Sequence, residues 1–150
     1  MKLRTYYGNY NLKDFRIYIK RSLKRNIDFM SSLLLLLECR LDIVLYRINL
    51  FKTPAEAKQY IKRGLVLING KVIKNYKKQL YINDVISLRY KEFFYNNLLQ
   101  KLKKKILLYN YPRYLEVNYK IMKCTLIFYP KLKDLPLSFK KDLKVLRKFY

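Results

Sequence analysis

Four short motifs between residues 37 and 86 decide the fold. They read L-E-C-R-L-D-I-V-L-Y-R (37–47), K-T-P-A-E-A-K-Q-Y-I-K-R-G (52–64), V-L-I-N-G-K-V-I (66–73) and N-D-V-I (83–86). Their apolar spacing predicts two helices, a tight hairpin and a final strand. Lys or Arg stands at almost every step that this pattern leaves exposed, so the same stretch is the candidate binding surface.

The first motif predicts a short helix over about residues 38–48. Its apolar positions follow the i, i+3, i+4, i+7 spacing of one buried stripe, in Leu41, Val44, Leu45 and Ile48. Arg40 and Arg47 are seven residues apart and share a different face of that helix. Core packing explains the stripe but does not explain two arginines in register, so both are candidate ligand contacts.

The second motif carries a strong helix-start signal. Thr53 is the predicted N-cap, Pro54 the first helical residue, and Glu56 the partner in a capping box. The positive end of this helix, with Lys52 beside it, suits a phosphate. Ala57, Tyr60 and Ile61 predict its buried face and Lys58 and Lys62 its exposed one, while Gly64 after Arg63 predicts its C-terminal end.

The third motif is the strongest hairpin signal in the chain. Two β-branched runs, residues 65–68 and 71–73, flank Asn69-Gly70, the dipeptide that a type I′ turn prefers. Lys71 follows a glycine turn at which a partner can approach the backbone closely. Asn83-Asp84 predicts a second turn before a strand over residues 85–90.

The flanks predict mainly helical and extended segments around this centre. Residues 12–30 read as one basic helix with Phe15, Tyr18 and Ile19 on its buried side, and residues 33–37 as a buried segment too short to span a bilayer. Residues 92–109 predict another helix, and the chain after Pro112 predicts extended segments and one short helix. We therefore expect an α+β fold with segments 1–37, 38–90 and 91–150, the last packing back on the first.

The charge balance points to a polyanionic partner. The 150 residues contain 34 Lys and Arg against 10 Asp and Glu, a formal charge of +24. All three segments are net positive, as in a protein embedded in a polyanion rather than one with a single charged tail. Nucleic acid fits best because phosphate contacts supply most of its affinity for basic proteins. An anionic membrane surface is the alternative, and it requires an amphipathic or lipidated anchor.

Little in the composition suggests chemistry at a site. Cys39 and Cys124 are two lone cysteines and there is no His, so we expect no disulfide framework, no metal site and a reducing compartment. The start lacks the apolar core of a signal peptide and the Ser-rich amphipathic stretch of a transit peptide. The bias toward Lys, Asn, Ile, Leu, Tyr and Phe suits an A/T-rich genome, so we expect an organelle-encoded protein.

Residues 37–86 resemble the RNA-binding module named after small-subunit ribosomal protein S-four. The matching elements are Leu37-Glu38-Cys39-Arg40-Leu41-Asp42, Tyr46-Arg47, Thr53-Pro54-Ala55-Glu56-Ala57-Lys58-Gln59, Ile68-Asn69-Gly70 and Asn83-Asp84-Val85-Ile86. The flanks also resemble the ribosomal protein family, at Phe15-Arg16-Ile17-Tyr18, Pro112-Arg113-Tyr114-Leu115-Glu116-Val117-Asn118 and Phe149-Tyr150. The resemblance therefore covers about residues 12–150.

The chain departs from the family pattern at several positions. Asn49 and Asn83 replace glycines, and because Asn tolerates positive φ we expect those turns to persist. Arg63 and Leu65 stand where bacterial members often have histidines. Cys39 and Pro54 replace basic residues, which thins the charge on the RNA side of the module.

The resemblance implies a structural constituent of the small ribosomal subunit, without enzymatic activity, that binds small-subunit rRNA and supports assembly and the mRNA-entry region. The implied partners are that rRNA, neighbouring small-subunit proteins and mRNA, with no cofactor, membrane or small-molecule substrate, and the expected location is the mitochondrion or alternatively a plastid. The alternatives are a free-standing S-four-domain ribosome-binding factor and the docking module of an RNA-modifying enzyme. If Gln59 faces inward, its role is structural. The candidate RNA contacts are Arg40, Arg47, Lys52, Thr53, Lys58, Gln59, Lys62, Arg63, Asn69, Gly70 and Lys71.

Overall fold

Four helices make up the first part of the fold. The computed structural model describes residues 7–8, 11–89, 92, 95–96 and 111–134. The helices are α1 (Leu12–Leu23), α2 (Phe29–Glu38), α3 (Leu41–Arg47) and α4 (Pro54–Lys62). Neighbouring helices pack in pairs, α1 on α2 and α3 on α4.

The predicted single helix over residues 12–30 is two elements. Its buried side is as predicted, with Phe15, Tyr18 and Ile19 inside. The chain leaves the helix after Leu23, and Asp28 then caps α2 by accepting a hydrogen bond from the Ser31 N–H at 3.3 Å. A capping Asp marks a new helix start, and α2 contains the buried run 33–37 as expected.

Five antiparallel strands form one sheet. In chain order they are β1 (Val66–Ile68), β2 (Lys71–Val72), β3 (Val85–Leu88), β4 (Leu115–Asn118) and β5 (Lys123–Leu126). Their order across the sheet is β2-β1-β3-β5-β4, and a 3₁₀ turn at Leu132–Asp134 follows. The fold is α+β, as predicted.

One face of the sheet is buried beneath α3 and α4. The register sets Ile68 opposite Ile86 and Ile86 opposite Cys124, and all three side chains are buried. Ala57 and Ile61 of α4 join the same apolar cluster. Because strand side chains alternate between faces, Lys123 lies on the other face, exposed, opposite Ser87 and Asn118.

The predicted turns have the predicted backbone conformations. Asn69 and Gly70 have φ values of 49° and 80°, as a type I′ hairpin requires. Asn49 and Asn83, where the resemblance implies glycines, have φ values of 59° and 70°. Asn therefore supplies the left-handed conformation at these turns.

The joining of the C-terminal hairpin to the sheet was not predicted. β5 pairs with β3, through Val85 opposite Thr125 and Ile86 opposite Cys124, so the sheet continues past residue 90. The division into three segments stays a prediction. Of the helix expected over 92–109, residues 92, 95 and 96 are described and helical, whereas the rest and Phe149-Tyr150 lie outside the described residues. None of the helices described here has the length and apolar composition needed to cross a membrane.

Candidate nucleic-acid interface

Helix α4 is capped at its N-terminal end and presents an exposed polar side. The Thr53 hydroxyl accepts a hydrogen bond from the Glu56 N–H at 3.2 Å, and the Glu56 carboxylate accepts one from the Lys52 N–H at 2.8 Å. The capping box is therefore present, although Glu56 reaches one residue beyond the cap. Its carboxylate also occupies the helix start, where the sequence suggested a phosphate. The side chains on the polar side are exposed at Lys52, Thr53, Gln59, Lys62 and Arg63 and half-buried at Lys58.

The exposure of Gln59 decides the question that the sequence left open. Its side chain faces solvent, so Gln59 can donate and accept hydrogen bonds with a partner. Thr53 uses its oxygen in the cap and still has a hydroxyl proton to donate.

The β1–β2 hairpin lies beside the C-terminal end of α4. Gly64 ends the helix at φ +74°, and a Cβ built on it would lie 3.2 Å from Cγ1 of Val72. Gly70 and Lys71 at the hairpin tip are exposed. Helix and hairpin therefore form a continuous surface, called here the basic face and made of Lys52, Thr53, Lys58, Gln59, Lys62, Arg63, Gly70 and Lys71.

Asn69 belongs to the turn rather than to this face. Its side-chain amide donates to the Asp84 carboxylate at 2.8 Å, and its carbonyl oxygen accepts from the Val85 N–H at 2.9 Å. These two bonds tie the hairpin to the start of β3. The side chain is exposed and keeps a second N–H donor and a second oxygen lone pair, so RNA contact by Asn69 stays a prediction.

Arg40 is a buried structural residue, which corrects its prediction as a surface contact. Its side chain is 0% exposed and pairs twice with Asp42, through Nε at 3.1 Å and Nη2 at 2.7 Å. Its guanidinium carbon also lies 5.4 Å from the centre of the Tyr18 ring. The prediction assumed that Arg40 and Arg47 lie on one helix. Arg40 instead precedes α3 in an extended conformation, and its side chain turns inward.

Arg47 pairs with a buried carboxylate. Its guanidinium donates to both oxygens of Glu38, at 3.0 Å from Nε and 2.8 Å from Nη2. The Arg47 side chain is 12% exposed and that of Glu38 0%. The ion pair with Glu38 gives Arg47 a structural role, which core packing alone did not explain. RNA contact by Arg47 stays a prediction.

Two residues near α4 were missed by the sequence reasoning. Tyr76 is half-buried, and its ring centre lies 5.4 Å from Nζ of Lys58 and 5.8 Å from Nζ of Lys62. Lys77 adds a third ammonium group at 5.7 Å. An aromatic residue followed by two lysines in Tyr76-Lys77-Lys78 was the available signal, since aromatic side chains interleaved with cations are typical of nucleic-acid surfaces.

Charge crowding acts on Lys58 in particular. Burial lowers the pKa of Lys58 most, and the positive charges of Arg40, Lys62 and Lys77 lower it further, against the opposing effect of Asp42. Its ammonium group donates to the Gly8 carbonyl at 3.4 Å. An anion placed near this group would favour its charged form.

The described residues offer nothing that resembles a catalytic or metal centre. Burial raises the pKa of the Cys39 and Cys124 thiols to about 12, so neither is poised as a thiolate. Across these residues no three His, Cys, Asp or Glu side chains are grouped to hold a metal ion. The arrangement suits binding through charge and hydrogen bonds.

Known proteins share both the centre and the flanks of this chain. Residues 39–86 match the S4 domain family. The small ribosomal subunit protein uS4 of Granulibacter bethesdensis is 34% identical over 149 residues, which are 99% of this chain and 72% of that protein. The uS4 proteins of Acidiphilium cryptum and Gluconacetobacter diazotrophicus are 34% and 32% identical with the same coverage. The chain belongs to the uS4 family of small-subunit ribosomal proteins.

Proposed function

We propose that this protein is a structural, non-enzymatic constituent of the small ribosomal subunit and binds small-subunit rRNA through the basic face. The observation that carries the proposal is the set of exposed cations on a rigid helix and hairpin, at Lys52, Lys62, Arg63 and Lys71. Family membership supports it, because the relatives are small-subunit ribosomal proteins.

The basic face would recognise the shape of folded RNA rather than its sequence. The deep major groove of an RNA helix excludes side chains, so proteins contact phosphates and 2′-hydroxyl groups instead. The cations supply the phosphate contacts, and Thr53 and Gln59 supply directional hydrogen bonds. A preformed surface of this kind loses little conformational entropy on binding.

The further partners follow from the same proposal. Neighbouring small-subunit proteins and the mRNA near its entry site are the expected contacts, and the mitochondrion, or alternatively a plastid, is the expected location. The residue bias toward A/T-rich codons supports an organellar gene. The match over 99% of the chain favours a ribosomal protein over a free-standing factor or the docking module of an enzyme.

Salt-dependent binding to small-subunit rRNA tests the basic face directly. Lys62→Ala and Arg63→Ala should each weaken binding and lower the slope of log affinity against log salt by about 1, one phosphate contact. Lys123→Ala is the matched control, because Lys123 is also exposed but lies on the face of the sheet away from α4. Equal slopes for all three variants and the wild type would place the RNA contacts elsewhere.

Sedimentation separates the ribosomal role from membrane binding. The protein should travel with small subunits and be released by high salt or by RNA digestion. Binding to anionic vesicles that survives nuclease treatment would contradict the proposal.

A further inference from the structure

Four cations surround the ring of Tyr76. The ring centre lies 5.4 Å from Nζ of Lys58, 5.8 Å from Nζ of Lys62, 5.7 Å from Nζ of Lys77 and 5.8 Å from Cζ of Arg40. We call these five residues the Tyr76 cluster. Cation–π attraction reaches to about 6 Å from a ring centre, so all four cations lie within range of this one ring.

Two carboxylates among the described residues pair with members of this cluster. Asp42 pairs with the buried Arg40, and Asp14 of α1 pairs with Lys77 at 2.9 Å. Burial lowers the pKa of Lys58 most, Asp42 raises it, and the positive charges of Arg40, Lys62 and Lys77 lower it further. Like charges held this close are stabilised when an anion binds among them.

The ring lies between a buried side and an accessible side. Arg40 is fully buried and also contacts the Tyr18 ring, so it lies on the protein side of Tyr76. Lys62 is exposed, and Lys58 and Lys77 are half-buried. The exposed Lys62 side chain can therefore turn from the ring toward a partner. Lys58 donates to the Gly8 carbonyl and Lys77 pairs with Asp14, so these bonds hold their ammonium groups beside the ring.

The loop that carries Tyr76 is held on both sides of the ring. Asn75 accepts a hydrogen bond from the Lys77 N–H at 3.0 Å, and the Lys78 carbonyl accepts one from the Leu41 N–H at 3.0 Å. The Gln79 amide donates to the carbonyls of Leu35 and Leu36 at 3.2 and 2.9 Å. Tyr76 is thus presented by an ordered loop, which suits a stacking surface.

We propose that Tyr76 is a stacking platform for one unpaired nucleotide of the bound RNA, with the base on the ring and the adjoining phosphate held by Lys58, Lys62 and Lys77. Stacking on aromatic side chains is how proteins hold splayed RNA bases, and it requires a base that is not already stacked in a helix. The proposal rests on the rRNA-binding function and adds to it. The basic face binds the backbone of folded RNA, and the Tyr76 cluster binds one looped-out nucleotide.

Two substitutions separate the ring from the charge. Tyr76→Leu removes the aromatic surface, and Tyr76→Phe keeps it. The probes are a single-stranded oligoribonucleotide that contains 2-aminopurine and a blunt duplex of the same length. Because one stacked base contributes about 1–3 kcal/mol, Tyr76→Leu should weaken binding of the single strand about 5- to 150-fold and leave duplex binding unchanged. Tyr76→Phe should bind both probes as the wild type does.

A direct contact measurement needs no variant. The wild-type chain should alter 2-aminopurine fluorescence on binding, and photocrosslinking to a 4-thiouridine strand should mark the peptide that contains Tyr76. Unchanged fluorescence with no crosslink in that peptide overturns the platform, as does equal single-strand binding by folded Tyr76→Leu. If Arg63→Ala, which leaves the Tyr76 cluster intact, still lowers the salt slope in rRNA binding, the ribosomal function stands while the platform fails.

Discussion

At the scale of single residues, Glu38 connects parts of the chain that lie far apart. Its carboxylate is fully buried and accepts hydrogen bonds from Arg47, Tyr114 and Tyr7. Burial raises the pKa of Tyr114, and the negative charge of Glu38 adds to this, so the phenol stays a donor. The sequence placed Glu38 only at the start of the helix predicted over about residues 38–48. Its donors were unpredictable because no local pattern encodes contacts with residues 31 and 76 positions away.

The Glu38 contacts predict stability effects at Arg47 and Tyr114. Arg47→Ala removes the cation from a buried carboxylate and should lower the free energy of unfolding by about 3 kcal/mol. Tyr114→Phe removes one hydrogen bond to a charged group and should lower it by about 2 kcal/mol. Guanidinium unfolding followed by circular dichroism measures both effects, with Lys123→Ala as the neutral control. A folded Arg47→Ala of wild-type stability but reduced salt slope in RNA binding would place Arg47 at the interface instead.

At the scale of elements, the sequence predicted what short-range chemistry determines. The Thr53 cap and the Gly64 end delimit α4, and Asn69-Gly70 forms the expected turn. The predicted length of α1 was wrong. The helix ends at Leu23, and Asp28 caps a separate helix, α2. The pairing of β5 with β3 was missed because strand partners are chosen by packing across the sheet, not by local propensity.

The turns predict a difference between two asparagines. Asn69 and Asn83 both have positive φ, which Gly also adopts, so Gly replaces either without strain. Asn69→Gly also loses the bonds to Asp84 and Val85 and should cost about 1–2 kcal/mol more than Asn83→Gly. Among the described residues no side-chain hydrogen bond of Asn83 is found, which makes it the matched control. Equal unfolding midpoints for the two variants would mean that the Asn69 amide contributes nothing.

At the scale of the molecule, the sheet unites the S4 match with the chain beyond it. Residues 39–86 match the domain family, yet the sheet includes β4 and β5, and Tyr114 completes the buried site of Glu38. The fold class followed from the sequence, as did much of the basic face. The inward turn of Arg40 did not, since it depends on Asp42 and the Tyr18 ring meeting it in three dimensions.

Thiol protection measures whether the β4–β5 hairpin opens separately from the helices. Cys39 ends α2 and Cys124 lies in β5, and both are buried with a pKa raised to about 12. In the folded chain both should react with a water-soluble thiol reagent at pH 8 far more slowly than in guanidinium, and at similar rates. Rapid modification of Cys124 beside a protected Cys39 would show that the β4–β5 hairpin opens by itself. The same assay with added rRNA reports whether charge neutralisation tightens the fold.

The contact of Glu38 with Tyr114 has a consequence for the order of folding. The contacts within helix α4 and the β1–β2 hairpin join residues that are close in sequence, whereas the Tyr114–Glu38 contact joins residues 76 positions apart. Contacts between residues distant in sequence form slowly because the intervening loop must first be closed. We therefore expect the basic face to form during synthesis before Tyr114 donates its hydrogen bond to Glu38. RNA would then reach that face while the Glu38 carboxylate still lacks its hydrogen bond from Tyr114.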